Sequence, residues 1–259
     1  MSTGDTPYLV ALDYPGRRDD SRIDDLELDR HGFRVQHLLT DPLPLEIDAT
    51  RYAQRLIERL EADTPVAAVL SYCMAGPIAH EVALLLTERQ GHPPRLLLVE
   101  ASHHRPEVVA VAYRSSLAQF PPLPGTDGGI TPESVVALVT SQPEDLVADM
   151  RRELERRAGA ELVTDGEEPD EALLIAGEVA AHHMQFVVHL VAASNAEIPD
   201  WPGEALHIVS RDYPFDGEWP GARVTRVRRL DLSRGELLRG PEARELVLSW
   251  LTAEHAEPR

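Results

Sequence analysis

The sequence predicts an α/β fold: a mostly parallel sheet flanked by helices, with a helical insertion between its strands. Three observations carry that expectation. Short, unbroken apolar runs stopped by turn residues recur in both halves of the chain, as strands buried on both faces require. One of them, Val66-Ala67-Ala68-Val69-Leu70, passes through a short turn into a helix and on to another apolar run at 96–99. That succession is a strand–helix–strand unit and implies parallel pairing with a right-handed crossover. Residues 105–193 then break the rhythm with several helical stretches, an interruption whose length reads as a lid. The 259 residues suffice for one sizeable core, so a single domain (1–259) is expected, with its insertion at about 105–195.

Each element follows in order. The first strand is Tyr8–Leu12, stopped by Asp13-Tyr14-Pro15-Gly16. Residues 17–31 are charged and are expected to be helical, and 33–39 form a second strand. A helix at 49–60 places Tyr52, Leu56, Ile57 and Leu60 on its apolar positions. The strand at 66–70 leads into Ser71-Tyr72-Cys73-Met74-Ala75-Gly76 and a helix at 77–89, with Ile78, Val82, Leu85 and Leu86 on one face. A buried strand at 96–99 follows. The insertion contains Pro-Pro-Leu-Pro-Gly at 121–125, an acidic run at 165–171 and a long helix at 171–193 that carries His182, His183 and His189. Strands at 205–210 and 223–230 and a helix at 241–251 complete the pattern, which contains no internal repeat.

Composition narrows the function. With 43% hydrophobic and 27% charged residues the chain belongs to the soluble globular class. A net charge of -19 argues against binding nucleic acid, whose phosphates need a cationic surface, and against an anionic membrane surface. All 25 basic residues are arginine, so neither a Schiff-base lysine nor a P-loop lysine exists. The one cysteine, Cys73, excludes an intramolecular disulfide and a thiolate-cluster metal site, and no metal is expected. The N-terminus lacks the basic and apolar regions of a signal peptide, and no apolar stretch approaches the roughly 18 residues that span a bilayer. A cytoplasmic protein is expected, where a free thiol stays reduced.

A lone cysteine is most often a small buried hydrophobe. Cys73, however, sits where a buried strand turns into a helix, with the small residues Ser71 and Ala75 two positions to either side. A nucleophile elbow needs that arrangement, because the turn is tight and aims the side chain at the carboxyl end of the sheet. The helix N-terminus behind it favours a thiolate and supplies backbone N–H groups to an oxyanion.

The segment from Ser71 to Gly76, followed by Ala79-His80-Glu81-Val82-Ala83, resembles the elbow of type II thioesterases of polyketide and nonribosomal peptide pathways, which are α/β-hydrolases. The general likeness covers most of the chain, down to the Ser249-Trp250-Leu251 end of the last helix, but only the elbow and its helix are specific. The cysteine in place of serine is similar to two smaller groups, the discrete Dieckmann cyclases and the carrier-to-carrier acyltransferases. The resemblance implies an enzyme that accepts an acyl chain on Cys73 from the phosphopantetheine of an acyl or peptidyl carrier protein, without any other cofactor. Release by intramolecular cyclisation is the favoured outcome. Hydrolytic editing, transfer to another carrier, and non-catalytic acyl-carrier binding are the alternatives.

The resemblance also implies partners for Cys73. Glu100, at the end of the strand after the elbow helix, takes the acid position, with Asp212 as the alternative. The backbone N–H groups of Met74 and of a residue near Gly16 would form the oxyanion hole. The family's histidine precedes the C-terminal helix, and there this chain has Arg234. Three readings follow. His103 and His104, or His182 and His183, supply the missing imidazole. Alternatively, Arg234 stabilises the thiolate or an enolate, and an acidic carbon of the substrate makes a strong base unnecessary. In the third, the chain binds acyl groups without turnover. Arg234, His182, His183 and Tyr72 are assigned as substrate or carrier contacts. Residues 223–239 carry six arginines against Asp231 and Glu236 and read either as a landing site for a phosphopantetheine phosphate or an acidic carrier, or as a solvated strand edge.

Overall fold

A computed structural model describes residues 6–14, 20–61, 64–123, 130–215 and 217–253. Six strands form one sheet: β1 (Tyr8–Leu12), β2 (Arg34–His37), β3 (Val66–Tyr72), β4 (Arg95–Val99), β5 (Trp201–Val209) and β6 (Ala222–Arg229). Their order is β2-β1-β3-β4-β5-β6, and every pair is parallel. The helices are α1 (Ala49–Ile57), α2 (Gly76–Gln90), α3 (Pro106–Leu117), α4 (Pro132–Ser141), α5 (Pro143–Thr164), α6 (Pro169–Ser194) and α7 (Pro241–Thr252). Five of them, α3 to α7, begin on a proline, whose fixed φ suits the first turn and whose missing N–H would have had no helical partner there.

The chain divides into two compact units. The first comprises Met1–Asp41, Ala53–Ser102 and Glu197–Arg259 and contains the sheet. Alternate residues of its inner strands, Leu9 and Ala11, Ala68 and Leu70, Leu97 and Val99, Leu206 and Ile208, share one core with Ala243, Val247 and Trp250 of α7. The period of two sends the intervening residues to the other face, where α2 lies against β3 and β4. The second unit comprises Pro42–Tyr52 and His103–Ala196, and within it α5 and α6 pack together as an antiparallel pair joined by a short turn. Their facing residues recur every four positions: Leu146, Met150, Leu154 and Ala158 on α5, Ala172, Ala176 and Ala180 on α6.

Three expectations need correction. Residues 20–31 are not a helix but two single 3-10 turns, Ile23–Leu26 and Leu28–His31. Glu27 and Gly32 adopt positive φ, which ends each turn, and Ile23 N–H donates to the Asp13 carboxylate (2.9 Å) instead of to a preceding carbonyl. Second, β5 begins at Trp201, earlier than the apolar run suggested, because a register shift between Trp201 and Glu204 lets Pro202 and Gly203 into the strand. Third, α6 is by length and composition apolar enough to cross a bilayer, contrary to the reading that no such stretch exists. Its apolar window is 44% buried, however, and the helix packs on α5 and α3.

Candidate active site

The site lies in the first unit, at the carboxyl ends of β3 and β4. Cys73 follows the last residue of β3 with φ +55°, a left-handed conformation uncommon for any residue but glycine. A single 3-10 turn, Cys73–Ala75, then leads into α2. This is the strand–elbow–helix turn expected from the small flanking residues. Ser71 is wholly buried and Ala75 nearly so, and the packing at Gly76 is tighter still. A Cβ there would lie 2.7 Å from Ala101 Cβ and 3.0 Å from the Trp219 ring. Trp219 is fixed in turn by donating its indole N–H to His80 Nδ1 (3.2 Å), whose Nε2 lies 2.8 Å from the Pro199 carbonyl. His80 therefore belongs to the support of the elbow helix.

Glu100 caps β4, also with positive φ (+48°), and is fully buried. Its N–H donates to the Ile208 carbonyl (3.0 Å), and its Oε1 accepts from the Ser210 N–H (3.2 Å) and hydroxyl. The turn after β5 that presents Ser210 is clamped by Arg229, which donates to the carbonyls of Ser210, Arg211, Tyr213 and Phe215 at 2.8–3.1 Å. Asp212, the alternative acid, is exposed on this turn.

Arg234 joins the two. Its Nη2 donates to Cys73 Sγ at 3.3 Å, and its Nε lies 3.2 Å from Glu100 Oε2. The Nε hydrogen itself points at Asp20 Oδ2 (2.8 Å), so Glu100 Oε2 meets the guanidinium through charge and makes no aligned hydrogen bond of its own. Ser21 Oγ donates to the Arg234 carbonyl (3.0 Å), and the guanidinium carbon sits 5.5 Å from the Tyr72 ring centre. Burial alone would lower the pKa of Arg234, but Cys73, Tyr72 and Glu100 raise it above its ordinary value. Tyr72 is pushed up to about 12 by burial, against the opposing pull of Arg234. Tyr213, whose pKa is raised by burial, hydrogen-bonds Ser102 and feels the charges of Cys73, Glu100 and Arg234.

The structure thus brings together Cys73, Glu100, Arg234 and Tyr72 from the residues singled out in the sequence. Met74 heads the helical turn behind Cys73, where early N–H groups have no helical acceptor, and its Sδ accepts from the Ser102 hydroxyl (3.5 Å). Gly16 lies outside the described residues. His103 and His104 belong to the second unit, where His104 Nδ1 lies 3.2 Å from the Ser194 carbonyl. His182 and His183 lie on α6 in that unit, with His183 edge-on to Phe120 at 5.5 Å. Among the described residues, the hydrogen-bonding partner of Cys73 Sγ is a guanidinium and not an imidazole.

Asp20 and Ser210 were missed. Asp20 stands in a charged run with no motif, and Ser210 was read only as the end of a strand. The arginine-rich segment does not form one patch. Arg234 enters the site, Arg229 clamps a turn, Arg239 pairs with Asp25 (3.4 Å), and Arg226 pairs with Glu204 (3.4 Å).

Chemically, the arrangement holds a cysteine sulfur against a permanent cation that also lies beside a buried carboxylate. A guanidinium donates hydrogen bonds but does not take up a proton, so it cannot act as the general base that a histidine would be.

No family model matches the chain, and no curated protein matches it. Solved structures do. The enol-lactonase from Burkholderia xenovorans LB400 superposes with a TM-score of 0.53 at 15% identity, over 98% of this chain and 94% of its own. The NocB thioesterase domain from the nocardicin cluster gives 0.50 at 16% identity, over 96% and 95%. The four-domain nonribosomal peptide synthetase AB3403 gives 0.51 at 14% identity, over 99% of this chain and 20% of its own. With six parallel strands, flanking helices and a cysteine at the elbow, the chain has the α/β-hydrolase fold.

Proposed function

We propose that the protein acts on acyl thioesters through Cys73 and releases the acyl chain by carbon–carbon ring closure. The observation that carries this reading is the contact between Arg234 and Cys73 Sγ at 3.3 Å, in the place where a hydrolase needs an imidazole. The Cys73 thiolate attacks the thioester of a carrier-borne chain, the acyl–sulfur bond to phosphopantetheine breaks, and the pantetheine thiolate leaves. In the second step the enolate of a 1,3-dicarbonyl carbon in the same chain attacks the acyl-Cys73 carbonyl. A carbon–carbon bond forms and the Cys73 thiolate departs again. Neither step asks the protein to deprotonate water, which is the step a guanidinium cannot assist. The acidic carbon of such a substrate gives up its proton to the released pantetheine thiolate, which leaves as the thiol, and Arg234 lies beside the sulfur, where it can hold either anion. Glu100 and Asp20 keep the guanidinium in position, and the Met74 N–H serves the oxyanion. The partner is an acyl or peptidyl carrier protein, and no cofactor beyond its phosphopantetheine is required.

Transfer to a second carrier thiol is favoured by the same observation, since a thiol ionises far more readily than water and its proton passes to the first carrier's departing thiolate. Hydrolysis is disfavoured. Intact-mass spectrometry with an acyl-pantetheine thioester tests the reading. A covalent adduct on the wild type, absent from Cys73→Ala, is expected, with a cyclic product when the chain bears a 1,3-dicarbonyl group. No adduct, combined with tight carrier binding, would mean a binding protein. Free acid as the main product would replace cyclisation with hydrolysis.

A further inference from the structure

The first unit carries a second arginine cluster, at the other end of the sheet. Arg95 opens β4, and β5 and β6 begin beside it. Arg95 pairs in register with Ala68, five residues before Cys73, so the two ends are about 16 Å apart along the strand. Between the strand starts and α7 lies a cavity of about 240 Å³, whose lining includes Arg95, Arg223, Arg226, Glu204, Pro202 and Trp250.

Among the described residues, three guanidiniums face one carboxylate there, Glu204, which lies 3.4 Å from Arg226 and 3.9 Å from Arg223. Arg95 is only 9% exposed; it donates to the Ala253 carbonyl and stacks its guanidinium 5.4 Å from the Trp250 ring centre. Burial lowers its pKa, and Arg226 adds to that while Glu204 opposes it. A buried cation without a full countercharge is costly, and a ligand that brings two negative charges relieves it. The rest of the wall is apolar and includes Trp250. Guanidinium forks match phosphate oxygens in pairs, which a single carboxylate satisfies less completely.

We infer that this cavity binds a phosphate monoester carrying a flat apolar group, with its dianion among Arg95, Arg223 and Arg226 and its body against Trp250. The inference is independent of the reading given to Cys73.

Calorimetric titration of the full chain with phenyl phosphate at low salt tests it, with inorganic phosphate as the comparison. Saturable one-site binding is expected, tighter for the ester. The double variant Arg223→Gln/Arg226→Gln weakens it by at least about tenfold. Both side chains are about half exposed, so the fold is expected to survive, as circular dichroism can check. Glu204→Gln tightens binding, because it removes the competing carboxylate. Cys73→Ala and Arg234→Gln leave it unchanged. Absence of saturable binding in the millimolar range, or an unaltered affinity in the double variant, overturns the assignment. So does a loss caused by Arg234→Gln, which would place the anion in the active site. Equal affinity for inorganic phosphate overturns the ester.

Discussion

The proposed chemistry turns on the contact of Arg234 with Cys73 Sγ. Arg234→Gln removes the cation from Cys73 Sγ while keeping a polar side chain. Thiolate character depends on such a neighbour, so iodoacetamide alkylation of Cys73 at neutral pH is expected to slow by about tenfold or more. An unchanged rate would show that the guanidinium does not support the sulfur. Arg234→His tests the opposite direction. It places an imidazole where a water-activating base belongs, and hydrolytic release of the acyl chain should rise relative to cyclisation, read from the ratio of free acid to cyclic product. Cys73 and Glu100 were legible because each sits at the end of a readable strand. The placement of Arg234 was legible only in part. Its contacts span 161 positions to Cys73 and 214 to Asp20, and no local pattern reports a pairing at that distance.

Elements were legible where their signals were local. β3, the turn and α2 were readable from one apolar run and a set of small residues. Residues 20–31 misled because their charge suggested helix, whereas their buried residues Ile23, Leu26 and Leu28 do not share one helical face. β5 was read short because Pro202 and Gly203 look like breakers, and only pairing with β6 accommodates them. The elbow helix offers a test at its first residue. Gly76 has helical φ and ψ (-52°, -50°), so backbone conformation does not require glycine there. Helix propensity favours alanine by up to about 1 kcal/mol. The 2.7 Å approach to Ala101 opposes it, and overpacking of that kind costs about 1–3 kcal/mol. The clash should win: Gly76→Ala is expected to lower the urea midpoint and to disturb Trp219 fluorescence. A stabilised variant would show that α2 can move away without strain.

At the scale of the whole molecule, two buried histidines among the described residues contribute to the loss of stability in acid. Burial depresses the pKa of His189 to about 4 and of His207 to about 3. His207 Nε2 accepts the Ala101 N–H (3.1 Å), a bond that needs the neutral ring. Both groups bind protons more readily when unfolded, near pH 6.5. Their contribution is therefore intact above that value and is lost progressively as pH falls toward 4 and then 3, by a few kcal/mol each. Thermal unfolding followed from pH 7 to 4 should show that decline, and His207→Gln should flatten it. A pH-independent midpoint would count against the buried neutral rings. The net charge of -19 coexists with the locally cationic cavity around Arg95, which strand order assembles from residues far apart in sequence.

The guanidinium that replaces an imidazole has a last consequence, for regulation. A histidine-based site is switched off as its compartment acidifies, because the ring fills with a proton. Arg234 holds its charge at any acidity a cell reaches, and its neighbours strengthen that hold. The positive charge beside the sulfur therefore does not vary with the surroundings.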